Sequence, residues 1–400
     1  MDAFTHAIVG AGVGQWFKHK QDDNRLASWQ CSAIGAVAAL LPDLDYLSFW
    51  LHPLEFLAYW HRAESHSIVL APLWAYLFMG LLLLCKRYLF AHVRINRKWL
   101  YTLLLTAIMS HLLLDALTVY GTQWFAPLSS YKVSFALLFV IDGYFTGSCL
   151  LGLLIYSCYD WRNSNTTLEH ATTANKTSAL NMAKNKMAIN MARQAIWAVP
   201  LSYLLLVAGI KQYTLTLLSK QPSQLASGST ISHSRVSNST MLLPQPFSPL
   251  LWLAITQQDN DLQYRYIRLA NDKVARQLSS SLDKPGYLDR YNDINSKKSV
   301  DANRVQWQHT YHPASSDDVN IVNAWRHPLM QGFRDFAVYP VFLQHSRSKQ
   351  KECFWFSDLR YHWPYFLPSF RYGVCRESAT KNDWQLYRKR YLSDETQLVN

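Results

Sequence analysis

His111 and Asp115, in the stretch SHLLLDALTVYG, stand four residues apart at the end of an apolar run long enough to cross a membrane. On a helix that separation puts both side chains on one face, roughly 6 Å apart at Cβ. Ionisable groups within a membrane span are costly and usually mark a site. A neutral imidazole and a carboxylate are ordinary ligands for zinc and other divalent ions. Further donors lie in short motifs: His6 in MDAFTHAIVG, Asp43 and Asp45 in LLPDLDYL, His61, Arg62, His66 and Ser67 in HRAESHS, and Asp142 in FVIDGYFTG.

Each piece alone has a plainer reading. His6 could be a hydrogen-bonded core histidine, Asp43 and Asp45 could cap a helix after Pro42, and His61 and His66 could be interfacial loop residues. Together, His6, Asp43, His61, His66, His111 and Asp115 form a candidate metal-ligand set. Four imidazoles with up to four carboxylates exceed what one closed structural zinc needs, so one or two ions are expected, zinc first and manganese or magnesium as alternatives. Such ions lower the pKa of bound water and stabilise charge on a phosphoryl or acyl oxygen. Asp45 or Asp142 could then orient the water and take its proton. Arg62, beside Ser67, is the candidate for binding an anionic substrate oxygen; its plainer role is an ion pair with Glu64 or a lipid phosphate.

The elements that must position these groups are predicted to be membrane helices. Of the 400 residues half are hydrophobic and only 16% charged, against roughly 25% charged in a soluble domain. The near-neutral mean hydropathy averages two unlike parts. Long apolar runs at 3–17, 33–51, 68–85, 99–120, 134–159 and 195–218 predict a mainly α bundle of about five to six membrane helices. The positions Asp2 and His6 leave no cleavable signal peptide, so the first helix is expected to stay. Basic clusters at 86–98 and 160–194, with Lys18, Lys20 and Arg25 on the same side, are expected to be cytoplasmic. That topology gathers every candidate ligand at the opposite, outer face. It also accounts for the clearest basic clusters behind the net charge of +12, so no nucleic-acid partner is expected.

The domain reading is 1–218 as a transmembrane metal-binding helical domain, with 160–194 a mobile cytoplasmic insertion, then 219–245 as a linker. Residues 246–400 alternate in QYRYIRL, VQWQHTYH, FAVYPVFLQ and CFWFSDLRYHW, which are strand signals. They predict a small β-rich or α+β soluble domain on the outer side. Cys353 and Cys375 share it and could pair if it faces an oxidising compartment. The remaining four cysteines lack metal-site spacing and read as packing residues.

MDAFTHAIVGAGVG, LLPDLDYL, HRAESHS, SHLLLDALTVYGTQWFAPLS and VIDGYFT, in this order, resemble the LexA-regulated, membrane-bound metal-dependent hydrolase family (YdjM-like) over residues 1 to about 155. PQPFSPLLW and FSDLRY resemble its extended members with a C-terminal domain. The resemblance implies an inner-membrane protein; in a bacterium the topology expected above makes it multi-pass with its C-terminal domain in the periplasm. It implies hydrolase activity and the same ligands: His6, Asp43, His61, His66, His111 and Asp115. Ser65 and Gly143 depart mildly from the family pattern of Thr and Pro. The pair His111 and Asp115 is also similar, more distantly, to the His-x-x-x-Asp pair of zinc-dependent phospholipases C and zinc nucleases.

The expected function is therefore metal-dependent hydrolysis of a phosphoester or lipid-linked substrate at the membrane surface, with the bilayer as partner. Two alternatives stay open: a transporter or ion-handling protein that uses the same cluster, and a structural or sensing protein with a structural metal.

Overall fold

The computed structural model describes residues 1–18, 26–85, 95–170, 178–219, 240–246, 248–258, 261–269, 308–348, 351–363, 367–376, 383–391 and 393–399. The basic residues Lys20, Arg25, Lys86, Arg87, Arg94 and Lys176, which helped set the expected topology, lie outside these, as do linker residues 220–239. The chain divides into two units, Met1–Leu44 with Arg62–Gly209, and Asp45–His61 with Ile210–Asn400.

The first unit is helical: α1 (Ala3–Lys18), α2 (Ser28–Leu40), α3 (Ala71–Leu84), α4 (Arg97–Ala116), α5 (Gly143–His170) and most of α6 (Ser178–Ser219). Among the described residues, Arg97–Ala116 and Asn190–Ser219 are long and apolar enough to cross a membrane. Counting Ser28–Leu40 with Pro42–Trp50, and Pro53–His66 with Ala71–Leu84, as bent spans raises the number to four. Five to six such helices were expected, so that number is not reached among the described residues.

Close backbone approach holds α1 on α2. A Cβ on Gly10 would run into the Gly35 carbonyl, and one on Gly35 into the Gly10 carbonyl; small residues at such a crossing are what lets membrane helices touch. The centre of the unit is α4, capped at its start by the Asn96 side chain accepting from Lys98 N and Trp99 N. Its buried stripe runs Leu100, Leu103, Leu104, Ala107, Ile108, His111, Leu112, Asp115, the three-and-four spacing of one helical face. His111 and Asp115 therefore continue the same stripe that packs Leu100 to Ile108 against α1, α2 and α3.

Two predicted helices end or begin elsewhere. The run 99–120 stops at Ala116, and the run 134–159 becomes helical only at Gly143. Between them the chain doubles back through Gly121 (φ +76°), where a Cβ would also press on Val133 O. It then lays 133–138 along the helix end: Phe135 N donates to Ala116 O (2.7 Å) and Leu137 N to Leu117 O (2.8 Å). These bonds satisfy carbonyls that the end of α4 would leave bare. Pro42, which brings no N–H to the ladder, likewise ends α2 and starts a 3-10 stretch, Pro42–Trp50. In the segment expected as a mobile insertion, 160–170 continues α5 and 178–194 opens α6.

The second unit contains two antiparallel sheets, each a simple meander. The first is β1 (Thr240–Gln245), β2 (Ser248–Gln258), β3 (Asp261–Arg268) and β4 (Gln308–Tyr311). Thr240–Gln245 was read as the end of the linker. It forms a strand because its apolar residues pair with those of β2, Leu243 opposite Leu253.

The second sheet is β5 (Pro340–Arg347), β6 (Glu352–Asp358), β7 (Tyr372–Arg376), β8 (Trp384–Lys389) and β9 (Thr396–Leu398). Helices α7 (Val319–Arg326) and α8 (Gln331–Phe336) carry Trp325 and Phe333, and Trp325 packs on Phe356 of β6 and Phe333 on Tyr372 of β7. Cys353 and Cys375 stand opposite each other on β6 and β7 and are disulfide-bonded. Residues 45–61 belong to this unit: the Arg388 guanidinium lies over Phe49, and Tyr59 hydroxyl bonds to Asp335.

The α1–α2 crossing yields a direct check. Gly35→Val should overpack it, lowering stability by about 1–3 kcal/mol and depressing Tm in detergent, whereas Gly80→Val, with nothing within 4 Å of its Cβ position, should leave Tm unchanged. Equal behaviour of the two variants would remove the close-approach explanation.

Candidate metal centre

Four side chains from three separate stretches of the first unit meet at one point. Asp43 comes from the first 3-10 turn after Pro42, His66 from a short 3-10 turn, Glu64–His66, and His111 and Asp115 from consecutive turns of α4. One ligand atom from each lies within 4.8 Å of all the others. His66 Nε2 and His111 Nε2 are 3.0 Å apart. Asp115 Oδ2 is 3.2 Å from the first and 3.3 Å from the second. Asp43 Oδ1 is 3.6 and 3.7 Å from the same two atoms.

These separations fit an ion. A tetrahedral centre with bonds of about 2.0–2.2 Å sets its ligand atoms about 3.3–3.6 Å apart, and the observed edges bracket that range. The hydrogen bonding agrees. Asp115 Oδ2 is buried and accepts no hydrogen bond, although two imidazole nitrogens stand close to it. His111 Nδ1 donates to the Ala39 carbonyl at 2.6 Å, which leaves the Nε2 lone pair aimed inward, the arrangement usual in metal-binding histidines. Ser65 Oγ occupies the same position on His66 Nδ1, at 2.8 Å. Two imidazoles and two carboxylates with outward nitrogens already engaged make a donor set suited to a divalent metal ion.

The other oxygen of Asp115 is held from the opposite side. Arg62 Nη2 donates to Oδ1 at 2.8 Å, His6 Nε2 lies 3.1 Å from it, and the Met1 amino group also contacts it. Arg62 is itself fixed: Nη1 donates to Thr118 Oγ1 at 2.9 Å, and Thr118 Oγ1 donates to Asp115 O at 2.7 Å. Its backbone has φ +60°, a left-handed conformation costing on the order of 1 kcal/mol or more that persists only where surroundings enforce it. His66, His111 and Asp115 are fully buried, while the Asp43 side chain is 17% exposed. Asp43 is thus the member of the group with exposed surface.

The remaining sequence-predicted residues are placed as follows. His6 lies outside the four-residue group, bonded to Asp115 and with its ring stacked on His111 at 3.7 Å. His61 and Asp45 belong to the second unit, where His61 Nδ1 lies 3.2 Å from Asp45 Oδ2 and the ring sits between Tyr46 and Phe56. Ser67 donates to Ala126 O at 2.6 Å and accepts from Val69 N at 3.1 Å, so its hydroxyl works on loop and helix-start backbone. Asp142 caps α5, accepting from Tyr144 N and Phe145 N, and also accepts from the Tyr203 hydroxyl.

Three contributors went unread in the sequence: Ser65, Thr118 and the Ala39 carbonyl. Thr118 follows Asp115 by three residues, a spacing that brings it back over the same turn. The Ala39 carbonyl has no side-chain signature, but Pro42 three residues later marks where helix carbonyls are released.

Residues 1–214 match the YdjM inner membrane protein family. Comparison with curated proteins and with solved structures finds no match. The matched stretch is more than half of the chain and contains Asp43, His66, His111 and Asp115 together with the groups that orient them. The chain belongs to the YdjM family of inner membrane proteins.

Proposed function

We propose that this chain is a metal-dependent hydrolase that cleaves a phosphoester or lipid-linked substrate at the outer face of the inner membrane. The observation that carries the reading is the group of four inward-facing donors at ion-ligand spacing, closed on three members and reachable at the fourth, Asp43. A purely structural ion is better served by a closed site, whereas catalysis needs an accessible position.

His66, His111 and Asp115 would hold the ion, with Asp43 beside it on the exposed side. When bound, a divalent cation supplies Lewis acidity and makes water a nucleophile near neutral pH. The chain's own groups do the rest. Arg62 and His6 hold Asp115 in its orientation by taking up its second oxygen. The Ala39 carbonyl and Ser65 hold the two imidazoles with their lone pairs inward. Asp43, the exposed member, stands where a substrate would enter and offers a carboxylate that can orient a water and accept its proton. The cross-strand Cys353–Cys375 disulfide supports a periplasmic C-terminal domain, since such bonds persist in oxidising compartments. The family membership supports an inner-membrane setting.

Metal content tests the site. Protein purified in mild detergent without chelator should carry about one equivalent of zinc or manganese by inductively coupled plasma mass spectrometry. His111→Ala with Asp115→Ala should lose it while keeping its gel-filtration profile. Retention of the full metal content by that variant would place the ion elsewhere.

Activity tests the chemistry. A panel of phosphoester and lipid-linked substrates should reveal a hydrolysis that chelation removes and added metal restores. Arg62→Gln should cut metal affinity or activity about 10–100-fold, the usual cost of removing a group that orients a ligand. Full metal occupancy without hydrolysis of any substrate, alongside a metal-dependent ion flux in proteoliposomes, would overturn the hydrolase reading in favour of transport.

A further inference from the structure

A second candidate site lies in the second unit and uses none of the metal ligands. Phe49 and Trp50 on one wall, and the ends of β7 and β8 on the other, enclose a cavity of about 410 Å³. Four cationic residues line it: Arg371, Arg388, Lys389 and Arg390. The acids beside them are fewer. Asp394 is shared by Arg371 (2.8 Å) and Lys389 (3.0 Å), and Glu395 pairs with Arg390 (2.8 Å). Arg388 bonds to the neutral Gln397 at 3.2 Å and lies 5.0 Å over the Phe49 ring; among the described residues no carboxylate pairs with it. The lining therefore carries more positive than negative charge. Crowding shows in Lys389, whose ammonium is pushed down to about 8 by burial and by Arg371.

The segment that supplies Phe49 and Trp50 to this cavity exposes apolar side chains. Leu47, Trp50 and Leu51 are 70%, 81% and 70% exposed, too large an outlay of apolar surface for a wall that meets only water. Tryptophan with leucine next to arginine and lysine is the composition that sits at a lipid surface, rings at head-group depth and cations on phosphate. A free anion would need the cations and not the exposed leucines.

We propose that this cavity binds the phosphate of an anionic lipid head group, with Arg388 making the charge-assisted contact and Leu47, Trp50 and Leu51 entering the lipid surface. The inference is independent of the hydrolase reading, because it draws on no residue of the metal group.

The test uses the full chain in amphipol, incubated with phosphatidylglycerol or with phosphatidylcholine and followed by native mass spectrometry. Wild type should retain phosphatidylglycerol several-fold better. Arg388→Gln should reduce that retention about tenfold, the scale of one charge-assisted hydrogen bond, with metal content and Tm unchanged. Arg388→Lys should keep part of the preference, which separates loss of charge from loss of fold. Equal retention of the two lipids, or indifference to Arg388→Gln, would overturn the proposal. Displacement of the lipid by an equal concentration of inorganic phosphate would also overturn it, assigning the cavity to a free anion.

Discussion

A buried carboxylate has to be matched by its neighbours, and the two oxygens of Asp115 meet different surroundings. One oxygen takes Arg62 and His6; the other faces two imidazole nitrogens in a geometry that is not hydrogen bonding. A buried acceptor without a hydrogen bond is costly, and an ion held between Oδ2 and the two imidazoles would satisfy it. Asp115 lies on the stripe of α4 that packs against α1, α2 and α3. The site and the core are thus one surface, and neither can be rearranged alone.

The irregular features of the first unit follow from that constraint. Helix α2 must stop where a proline releases its carbonyls, so that Ala39 can accept from His111 and Asp43 can turn inward. The chain must turn at Gly121 to return 133–138 along the end of α4, with Thr122 and Val133 each donating its backbone N–H to the other's carbonyl. Arg62 must adopt a left-handed backbone and a guanidinium pinned by Thr118. Each departs from a straight membrane helix; the stop of α2 and the Arg62 turn place groups on His111 and Asp115, and the Gly121 turn closes the end of the helix that carries both. Local strain gathered around polar side chains is the pattern of a functional site rather than of a packing core.

Much of this was legible in the sequence because it rests on side chains at fixed spacing. The i, i+4 pair on α4, the aspartate after Pro42 and the second histidine of HRAESHS all reach one point. The alternation that announced a β-rich C-terminal part corresponds to two antiparallel sheets. What was not legible depends on tertiary contacts. His6 reads like a ligand, yet its nitrogen turns to the outer oxygen of Asp115, a choice made by how α1 crosses α4. His61 and Asp45 form a pair in the second unit because 45–61 packs with the β strands and α8, a partnership separated by well over a hundred residues of chain. The ends of α4 and α5 were overrun because 117–120 and 134–142 are apolar enough for a helix, and only the Gly121 turn and the backbone bonds to Ala116 and Leu117 stop them.

X-ray absorption at the edge of the bound metal tests the central claim most directly, on the full chain in detergent with its native metal. The account predicts four nitrogen and oxygen neighbours at about 2.0–2.2 Å, with outer-shell scattering from two imidazole rings, and loss of one ring's contribution in His66→Ala. Sulfur neighbours, or a shell of oxygen alone without imidazole scattering, would contradict it.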